Sequence, residues 1–203
     1  MIQRPEPRII LASASAARRA LLANAGLSFV TEVAAVDEAA VRQAARQEGS
    51  SADDAALLLA ELKGRRIAQR HPDALVIAAD QILVCGETWF EKPADMTLAR
   101  AQLLALRGRT HVLVTAVLCL RGGTQVWQHV ARPALTMREF SEGFLEEYLE
   151  AEKERILGSV GAYRLEGLGV HLFARVEGEY GAILGLPVLP LLGFLRQHGV
   201  LLG

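Results

Sequence analysis

The sequence is poor in the features that define several classes of protein. Its 203 residues include only two cysteines, and 5% of the residues are aromatic. Cys85 and Cys119 each lie inside an apolar run, so we expect two buried, reduced thiols rather than a disulfide framework or a metal site. Lysine and arginine total 22, against 23 acidic residues, for a net charge of -1. This balance argues against broad, charge-driven binding to nucleic acids or anionic membranes.

Long apolar runs and repeats are absent as well. No apolar stretch approaches the roughly 18 residues that a membrane-spanning helix needs. The 51% hydrophobic content excludes a disordered chain. With no internal repeat or linker, we expect a single domain over residues 1–203 and a cytoplasmic location. The chain contains neither a phosphate-binding P-loop nor the glycine fingerprint of dinucleotide-binding proteins, and it shows no Ser-His-Asp pattern.

Apolar runs typical of buried strands alternate with amphipathic segments typical of helices. Gly122-Gly123 separates two strand-like runs and predicts an antiparallel hairpin. The alternation predicts an α/β fold with a mixed sheet flanked by helices. The predicted strands are residues 9–12, 29–36, 74–85, 111–121, 124–130, 135–140 and 170–176, and the main predicted helices are residues 16–25, 53–70, 97–107, 141–156 and 187–198.

Asp80 is the most informative single residue, because it lies inside the apolar run 74–85. An ionised carboxylate in such a run needs a partner. One interpretation is an aspartate at a strand end that pairs with an arginine; the other is a carboxylate that holds a cation or activates a water molecule. Glu38 could be a second acid of a Mg²⁺ site, although acids that open a helix give the same pattern.

Candidate anion-binding residues lie in two places. The segment containing Ser13, Ser15 and Arg18 joins a predicted strand to a helix, where hydroxyls, backbone N–H groups and a guanidinium would suit a phosphate. An ordinary serine cap explains the same residues. Lysine is scarce, with three lysines against nineteen arginines. Lys63 and Lys92 are candidates for a polyphosphate site, and solvent-exposed lysines are the alternative.

Taken in order, these segments resemble the Maf/septum-formation-inhibitor family of nucleotide pyrophosphatases. Each motif alone is weak, but the collinear set spans nearly the whole chain and is specific. The motifs are Ile10-Leu11-Ala12-Ser13-Ala14-Ser15 with Arg18, Val36-Asp37-Glu38, Leu59-Ala60-Glu61-Leu62-Lys63, Ala79-Asp80-Gln81, Glu91-Lys92-Pro93, Gly108-Arg109-Thr110-His111, Gly161-Ala162-Tyr163 with Glu166-Gly167-Leu168-Gly169, and Val176-Glu177-Gly178 with Leu184-Gly185-Leu186-Pro187.

The resemblance implies an α/β fold whose elongated mixed sheet and two lobes form a deep central cleft, often in a homodimer. It implies hydrolysis of a nucleoside triphosphate to a monophosphate and pyrophosphate with Mg²⁺ or Mn²⁺, and no nucleic-acid or membrane partner. The alternative is a non-enzymatic, nucleotide-sensing inhibitor of cell division and septum formation. By position, the general base would be Asp80, the metal ligands Glu38 and Asp80, and the phosphate ligands Ser13, Ser15, Arg18, Lys63 and Lys92.

Substrate preference in this family follows positions that here hold Ala17, Gln81 and Glu166. The pair Gln81 and Glu166 is similar to the subgroup that acts on 7-methyl-GTP, whereas the dTTP/UTP subgroup tends to have Thr and Gln there. The first subgroup usually has Pro-Trp where this chain has Ala16-Ala17, so a stacking surface is missing here. The resemblance therefore implies housecleaning of nucleotide pools, including modified nucleotides such as 7-methyl-GTP, and leaves the preferred base open.

Overall fold

The computed structural model describes residues 2–203, which contain eight strands and seven α-helices. The strands are β1 (Ile9–Leu11), β2 (Val30–Thr31), β3 (Leu75–Cys85), β4 (Thr88–Phe90), β5 (Thr110–Arg121), β6 (Thr124–Ala131), β7 (Ala134–Met137) and β8 (Phe173–Glu177). The helices are α1 (Ala16–Asn24), α2 (Glu38–Gln47), α3 (Ala52–Ala68), α4 (Met96–Leu106), α5 (Glu142–Glu152), α6 (Tyr180–Ile183) and α7 (Val188–Gln197).

Hydrogen bonds connect the strands in the order β2-β1-β3-β5-β7-β8, with β4 paired to β3 and β6 paired to β5. Strand β1 pairs in parallel with β2 and β3, whereas the hairpin β5–β6 and the pair β7–β8 are antiparallel. The predicted α/β class and mixed sheet are therefore confirmed. No helix within residues 2–203 combines the length and apolar character needed to cross a bilayer.

The chain folds into two compact units whose segments alternate along the sequence. The first unit comprises the described residues up to Gln81 together with Thr115–Ala131 and Glu179–Gly203. The second comprises Ile82–Val114 and Arg132–Gly178. Two units agree with the two lobes that the resemblance implies, and the extent of the domain over residues 1–203 stays a prediction.

Strand β3 separates two hydrophobic clusters in the first unit. Ile77 and Ala79 belong to a cluster that includes residues of α1 and α7. Val76 and Ala78 belong to a cluster that includes residues of α3. Because successive side chains of a strand point to opposite faces, Asp80 lies on the α3 side of the strand.

Helix α3 carries Lys63 in its buried stripe, one turn before Ile67. The neighbouring Gly64 packs against the sheet, and a Cβ atom built there would meet Leu120 and would lie 3.1 Å from the Cβ of Ala78. The missing side chain at Gly64 thus allows α3 to approach the sheet closely. This approach places the Lys63 ammonium at the level of Asp80.

The second unit contains a buried histidine with an aromatic environment. His111 Nε2 lies 2.8 Å from the Tyr163 hydroxyl, and the ring of Phe173 packs edge-on against Tyr163. His111 Nδ1 is buried without a hydrogen-bond partner among residues 2–203. Burial lowers the pKa of His111 to about 4, so the ring is neutral at pH 7.

Several predicted elements differ from the observed ones for local reasons. The strand predicted over residues 170–176 begins at Phe173, because Leu168–Leu172 forms a 3₁₀-helix. The helix predicted to residue 156 ends at Glu152. The strand predicted over residues 29–36 shrinks to two residues, because its partner β1 is three residues long. Both cysteines are buried and free, as predicted.

Candidate active site

A buried ammonium group lies between two carboxylates in the first unit. Lys63 Nζ is 2.5 Å from Asp80 Oδ1 and 2.7 Å from Glu38 Oε1. Asp80 is 2% exposed and Lys63 is 8% exposed, which excludes a solvent-exposed role for Lys63. Buried charges depend on one another, because removing one partner leaves the other uncompensated. The structure thus brings together three of the residues that the sequence singled out.

Arg42 completes a ring of alternating charges that the sequence analysis did not find. Its Nη2 is 2.8 Å from Glu38 Oε2 and 3.6 Å from Asp80 Oδ2. Glu38 and Arg42 are four residues apart on α2, a spacing that brings side chains together on a helix. This spacing was the available signal, although the same pair is common on solvent-exposed helices.

The two cations determine the charge state of Glu38. Desolvation raises the pKa of the Glu38 carboxyl, but the charges and hydrogen bonds of Lys63 and Arg42 outweigh it and hold the pKa below its ordinary value. The preceding Asp37 caps α2 by accepting a hydrogen bond from Ala40 N at 3.0 Å. The helix-opening interpretation of the two acids therefore applies to Asp37, whereas Glu38 faces the cluster.

One carboxylate oxygen of Asp80 has no hydrogen-bond partner in the described part of the chain. Its Oδ2 is buried and accepts no hydrogen bond from any residue in 2–203. Such an oxygen is costly unless a cation or a water molecule satisfies it. Within the same residues, no group of three or more His, Cys, Asp or Glu side chains could hold a metal ion. The available donors are the two carboxylates of Glu38 and Asp80, a pair that fits Mg²⁺ or Mn²⁺ when other oxygen ligands complete the coordination shell.

Arg18 ties the segment after β1 to two other parts of the first unit. Its Nε donates to the Gly185 carbonyl at 2.7 Å, and its Nη1 donates to the Ala79 carbonyl at 2.9 Å and to Ser13 Oγ at 3.2 Å. Burial lowers the pKa of Arg18, while the charges of Asp80 and Glu38 act in the opposite direction. Arg18 is therefore a structural link as well as a candidate phosphate ligand.

The two serines have distinct local roles. Ser15 is the N-cap of α1 and accepts a hydrogen bond from Arg18 N at 3.3 Å, so the cap interpretation is confirmed for Ser15. Ser13 is buried, and its Oγ accepts hydrogen bonds from Ser15 N and from Arg18. A serine hydroxyl can donate one hydrogen bond in addition to those it accepts, so Ser13 is a candidate donor to a ligand. Ala17 lies half-buried in the first turn of α1.

Gln81 lies on the face of β3 opposite to Asp80. Its Nε2 donates to Thr115 Oγ1 at 2.8 Å and to the carbonyls of Ala182 and Ile183 at 3.0 and 3.1 Å. These bonds attach α6 to the sheet, and sequence reasoning did not find Thr115. A role of Gln81 in substrate preference stays a prediction.

Lys92 and Glu166 belong to the second unit, and their roles as phosphate ligand and specificity residue stay predictions. Lys92 is exposed after β4, and Glu166 is exposed in the glycine-rich loop, where it accepts a hydrogen bond from Arg164 at 3.3 Å.

Glu152, a buried acid that the sequence analysis did not find, anchors this glycine-rich loop. Glu152 accepts hydrogen bonds from Leu168 N at 3.1 Å and from Arg164 at 3.4 Å.

The fold and the site define an α/β protein with a buried cluster of acids and bases beside a strand-to-helix segment. Residues 8–198 match the family model of Maf-like proteins, and the chain belongs to this family. A nucleoside triphosphate pyrophosphatase of Granulibacter bethesdensis is 56% identical over 194 residues, which cover 96% of this chain and 98% of that protein. One of Rhodospirillum rubrum is 52% identical over 196 residues, 97% of each chain. A 7-methyl-GTP pyrophosphatase of Rhizobium meliloti is 48% identical over 196 residues, 97% of this chain and 98% of that protein.

Proposed function

We propose that the protein is a nucleoside triphosphate pyrophosphatase, a hydrolase that cleaves the bond between the α and β phosphates. The relatives named for this activity align over nearly the whole chain. The structural observation that carries the proposal is the buried Asp80 Oδ2, which has no hydrogen-bond partner in residues 2–203 and lies among cationic side chains. A carboxylate oxygen in this setting is suited to accept a proton from a water molecule.

The proposed step needs no covalent intermediate. Asp80 Oδ2 accepts a proton from a water molecule, whose oxygen attacks the α-phosphorus. The bond from the α-phosphorus to the oxygen that bridges to the β-phosphate breaks, and pyrophosphate leaves with the electron pair. The products are a nucleoside monophosphate and pyrophosphate. Most of the catalysis comes from positioning and from stabilising negative charge, as in other phosphoryl transfers.

The cationic and hydroxyl groups of the first unit would hold the phosphates. A triphosphate carries about four negative charges, so several donors must converge on it. Lys63 supplies a compact ammonium, Arg18 a fixed guanidinium and Ser13 a hydroxyl proton. Ser15 would shape the same segment by capping α1.

A divalent cation, Mg²⁺ or Mn²⁺, would be held by Glu38 and Asp80. When bound, such a cation neutralises phosphate charge and favours the departure of pyrophosphate. The lowered pKa of Glu38 keeps this carboxylate ionised and therefore able to act as a ligand at neutral pH.

A nucleotide panel tests the proposed function. The protein is incubated with Mg²⁺ and 7-methyl-GTP, dTTP, UTP, GTP or inosine triphosphate, and pyrophosphate and monophosphate are quantified. We expect both products in equal amounts from at least one nucleotide. Release of inorganic phosphate instead, or no product from any nucleotide, would contradict the proposal.

The preferred base is part of the same proposal. We propose that 7-methyl-GTP is among the substrates, because the Rhizobium meliloti relative is named for this nucleotide. We expect no exclusive preference for it, because Ala17 lacks a ring that could stack on the base. Comparing kcat/KM for 7-methyl-GTP and GTP in the wild type and in Ala17→Trp checks this. The added ring should raise the ratio of kcat/KM for 7-methyl-GTP to kcat/KM for GTP. An unchanged ratio would mean that position 17 does not take part in base recognition.

We also propose a homodimer in the cytoplasm, on the resemblance to the family. Light scattering coupled to gel filtration measures the mass in solution, and cell fractionation measures the location. A monomer at micromolar concentration or a membrane-bound fraction would contradict the respective proposal.

A further inference from the structure

The Lys63 ammonium occupies the place where the two proposed cation ligands converge. It lies 2.5 Å from Asp80 Oδ1 and 2.7 Å from Glu38 Oε1. Both contacts are short and charge-assisted, with the ammonium as donor and one oxygen of each carboxylate as acceptor. One positive group therefore already bridges Glu38 and Asp80.

We infer that Lys63 is a displaceable internal counter-ion, which keeps the Glu38–Asp80 pair from binding a divalent cation until a triphosphate draws the ammonium away. The inference rests on the proposed function for the identity of the triphosphate. Its consequence is that cation binding and nucleotide binding are coupled, and each promotes the other to the same degree.

The charges of the cluster support this coupling. Two carboxylates face the two cations Lys63 and Arg42, so the cluster is already neutral. A divalent cation placed against an ammonium that has not moved would be strongly repelled at this short range and low exposure. The triphosphate removes that conflict, because it offers the ammonium a new anion.

Of the two cations of the cluster, Lys63 is the one that we infer to move, and Arg42 the one that stays with Glu38. A lysine has a flexible four-carbon stem and a compact charge, which can turn from one anion to another. Arg42 is four residues after Glu38 on the same helix and bonds Glu38 Oε2 at 2.8 Å. Because no third His, Cys, Asp or Glu within residues 2–203 completes a site with these two carboxylates, water and phosphate oxygens would supply the other ligands of the cation.

Binding of Mn²⁺ alone tests the inference without turnover. Free Mn²⁺ is measured by electron paramagnetic resonance during titration of wild type and of Lys63→Met, in the absence of nucleotide. Removing the ammonium should lower the Kd for Mn²⁺ by at least about tenfold. An equal or higher Kd in Lys63→Met, in a variant that circular dichroism shows to be folded, would overturn the inference.

Three comparisons keep the test decisive. Lys63→Arg retains a cation and should bind Mn²⁺ no more tightly than wild type. Lys153→Met removes an exposed lysine that pairs with Glu150 on the surface, and it should match wild type. If Lys63→Met fails to fold, wild type alone is titrated with and without an α,β-methylene nucleoside triphosphate, which is not cleaved. A change in the Mn²⁺ Kd of less than about twofold on adding that analogue would overturn the inference.

The outcome is separable from the fate of the proposed function. Tighter Mn²⁺ binding by Lys63→Met, without pyrophosphate release by wild type from any nucleotide, would support the counter-ion role of Lys63 and contradict the proposed activity. Pyrophosphate release by wild type, with an unchanged Mn²⁺ Kd in Lys63→Met, would support the activity and contradict the counter-ion role.

Discussion

At the scale of single residues, the two oxygens of Asp80 have different surroundings. Oδ1 accepts a hydrogen bond from the Lys63 ammonium. Oδ2 is buried, lies 3.6 Å from Arg42 Nη2 and accepts no hydrogen bond from residues 2–203. This asymmetry separates the oxygen that binds Lys63 from the oxygen that we propose as the proton acceptor. The same carboxylate can therefore maintain the cluster and accept a proton.

The first prediction concerns Asp80→Asn. The amide is nearly isosteric but is a very poor proton acceptor, so kcat for pyrophosphate release should fall by at least about 100-fold. Steady-state kinetics on the best nucleotide of the panel measures this, with thermal unfolding as the test of folding. Asp73→Asn, at an exposed turn, is the control and should retain wild-type kcat. A folded Asp80→Asn protein with normal kcat would place the general base elsewhere.

The sequence pointed to site residues where a residue type was unusual for its position. Asp80 inside an apolar run and Lys63 in a lysine-poor chain were both informative, and both lie in the cluster. Arg42 was not, because it is one of nineteen arginines and its spacing from Glu38 is common on helices. Gln81 faces the side of β3 opposite to Asp80, as adjacent strand residues do, and its predicted role in substrate preference stays a prediction.

At the scale of elements, the site depends on how closely α3 approaches the sheet. Lys63 can reach Asp80 because the next residue, Gly64, has no side chain between the helix and Ala78. Close contact of this kind is sensitive to added volume, because protein interiors are packed nearly as densely as crystals.

The second prediction concerns Gly64→Val. The added side chain would overpack the contact between α3 and the sheet, and the free energy of unfolding should fall by about 1–3 kcal/mol. Urea denaturation measures this. Gly193→Ala on α7 is the control, because a Cβ atom there meets nothing within 4 Å. Its free energy of unfolding should rise by up to about 1 kcal/mol, since alanine favours a helix more than glycine does. If Gly64→Val were as stable as wild type, close packing would not be what positions Lys63.

Element boundaries were predictable where chemistry marked them. Residues 74–85 read as a strand because the apolar run is long and ends at Gly86, and the strand spans Leu75–Cys85. The short strand Thr88–Phe90 was not among the predicted strands, because three residues are too few to show an alternation. The 3₁₀-helices near Gly167 had no periodic signal, since glycine-rich segments favour several turn types equally.

At the scale of the whole molecule, two of the four boundaries between the units fall inside strands, and the other two follow β6 and β8. One boundary falls between Gln81 and Ile82 within β3, and another between Val114 and Thr115 within β5. Domain boundaries are usually recognised by polar, flexible linkers. No such signal exists inside two apolar strands, so the sequence could predict the α/β class but not the division of the chain.

The last prediction concerns the pH dependence of stability. Burial lowers the pKa of His111 in the folded protein from 6.5 to about 4, whereas the unfolded chain keeps the ordinary value. Between these two values the unfolded state binds more protons, so the free energy of unfolding must fall as the pH drops. A shift of this size corresponds to about 3 kcal/mol, fully present above pH 6.5 and lost as the pH falls to about 4.

Urea unfolding at several pH values between 4 and 7 isolates the contribution of His111. The variant His111→Phe removes the titrating ring but keeps an aromatic group beside Tyr163, so its stability should fall less steeply over this range than that of wild type. His171→Gln removes an exposed histidine and should keep the wild-type slope. Other acids also titrate in this window, which is why the difference between slopes, rather than either slope alone, reports on His111. Equal slopes in wild type and His111→Phe would mean that the buried ring is protonated as readily in the folded protein as in the unfolded chain.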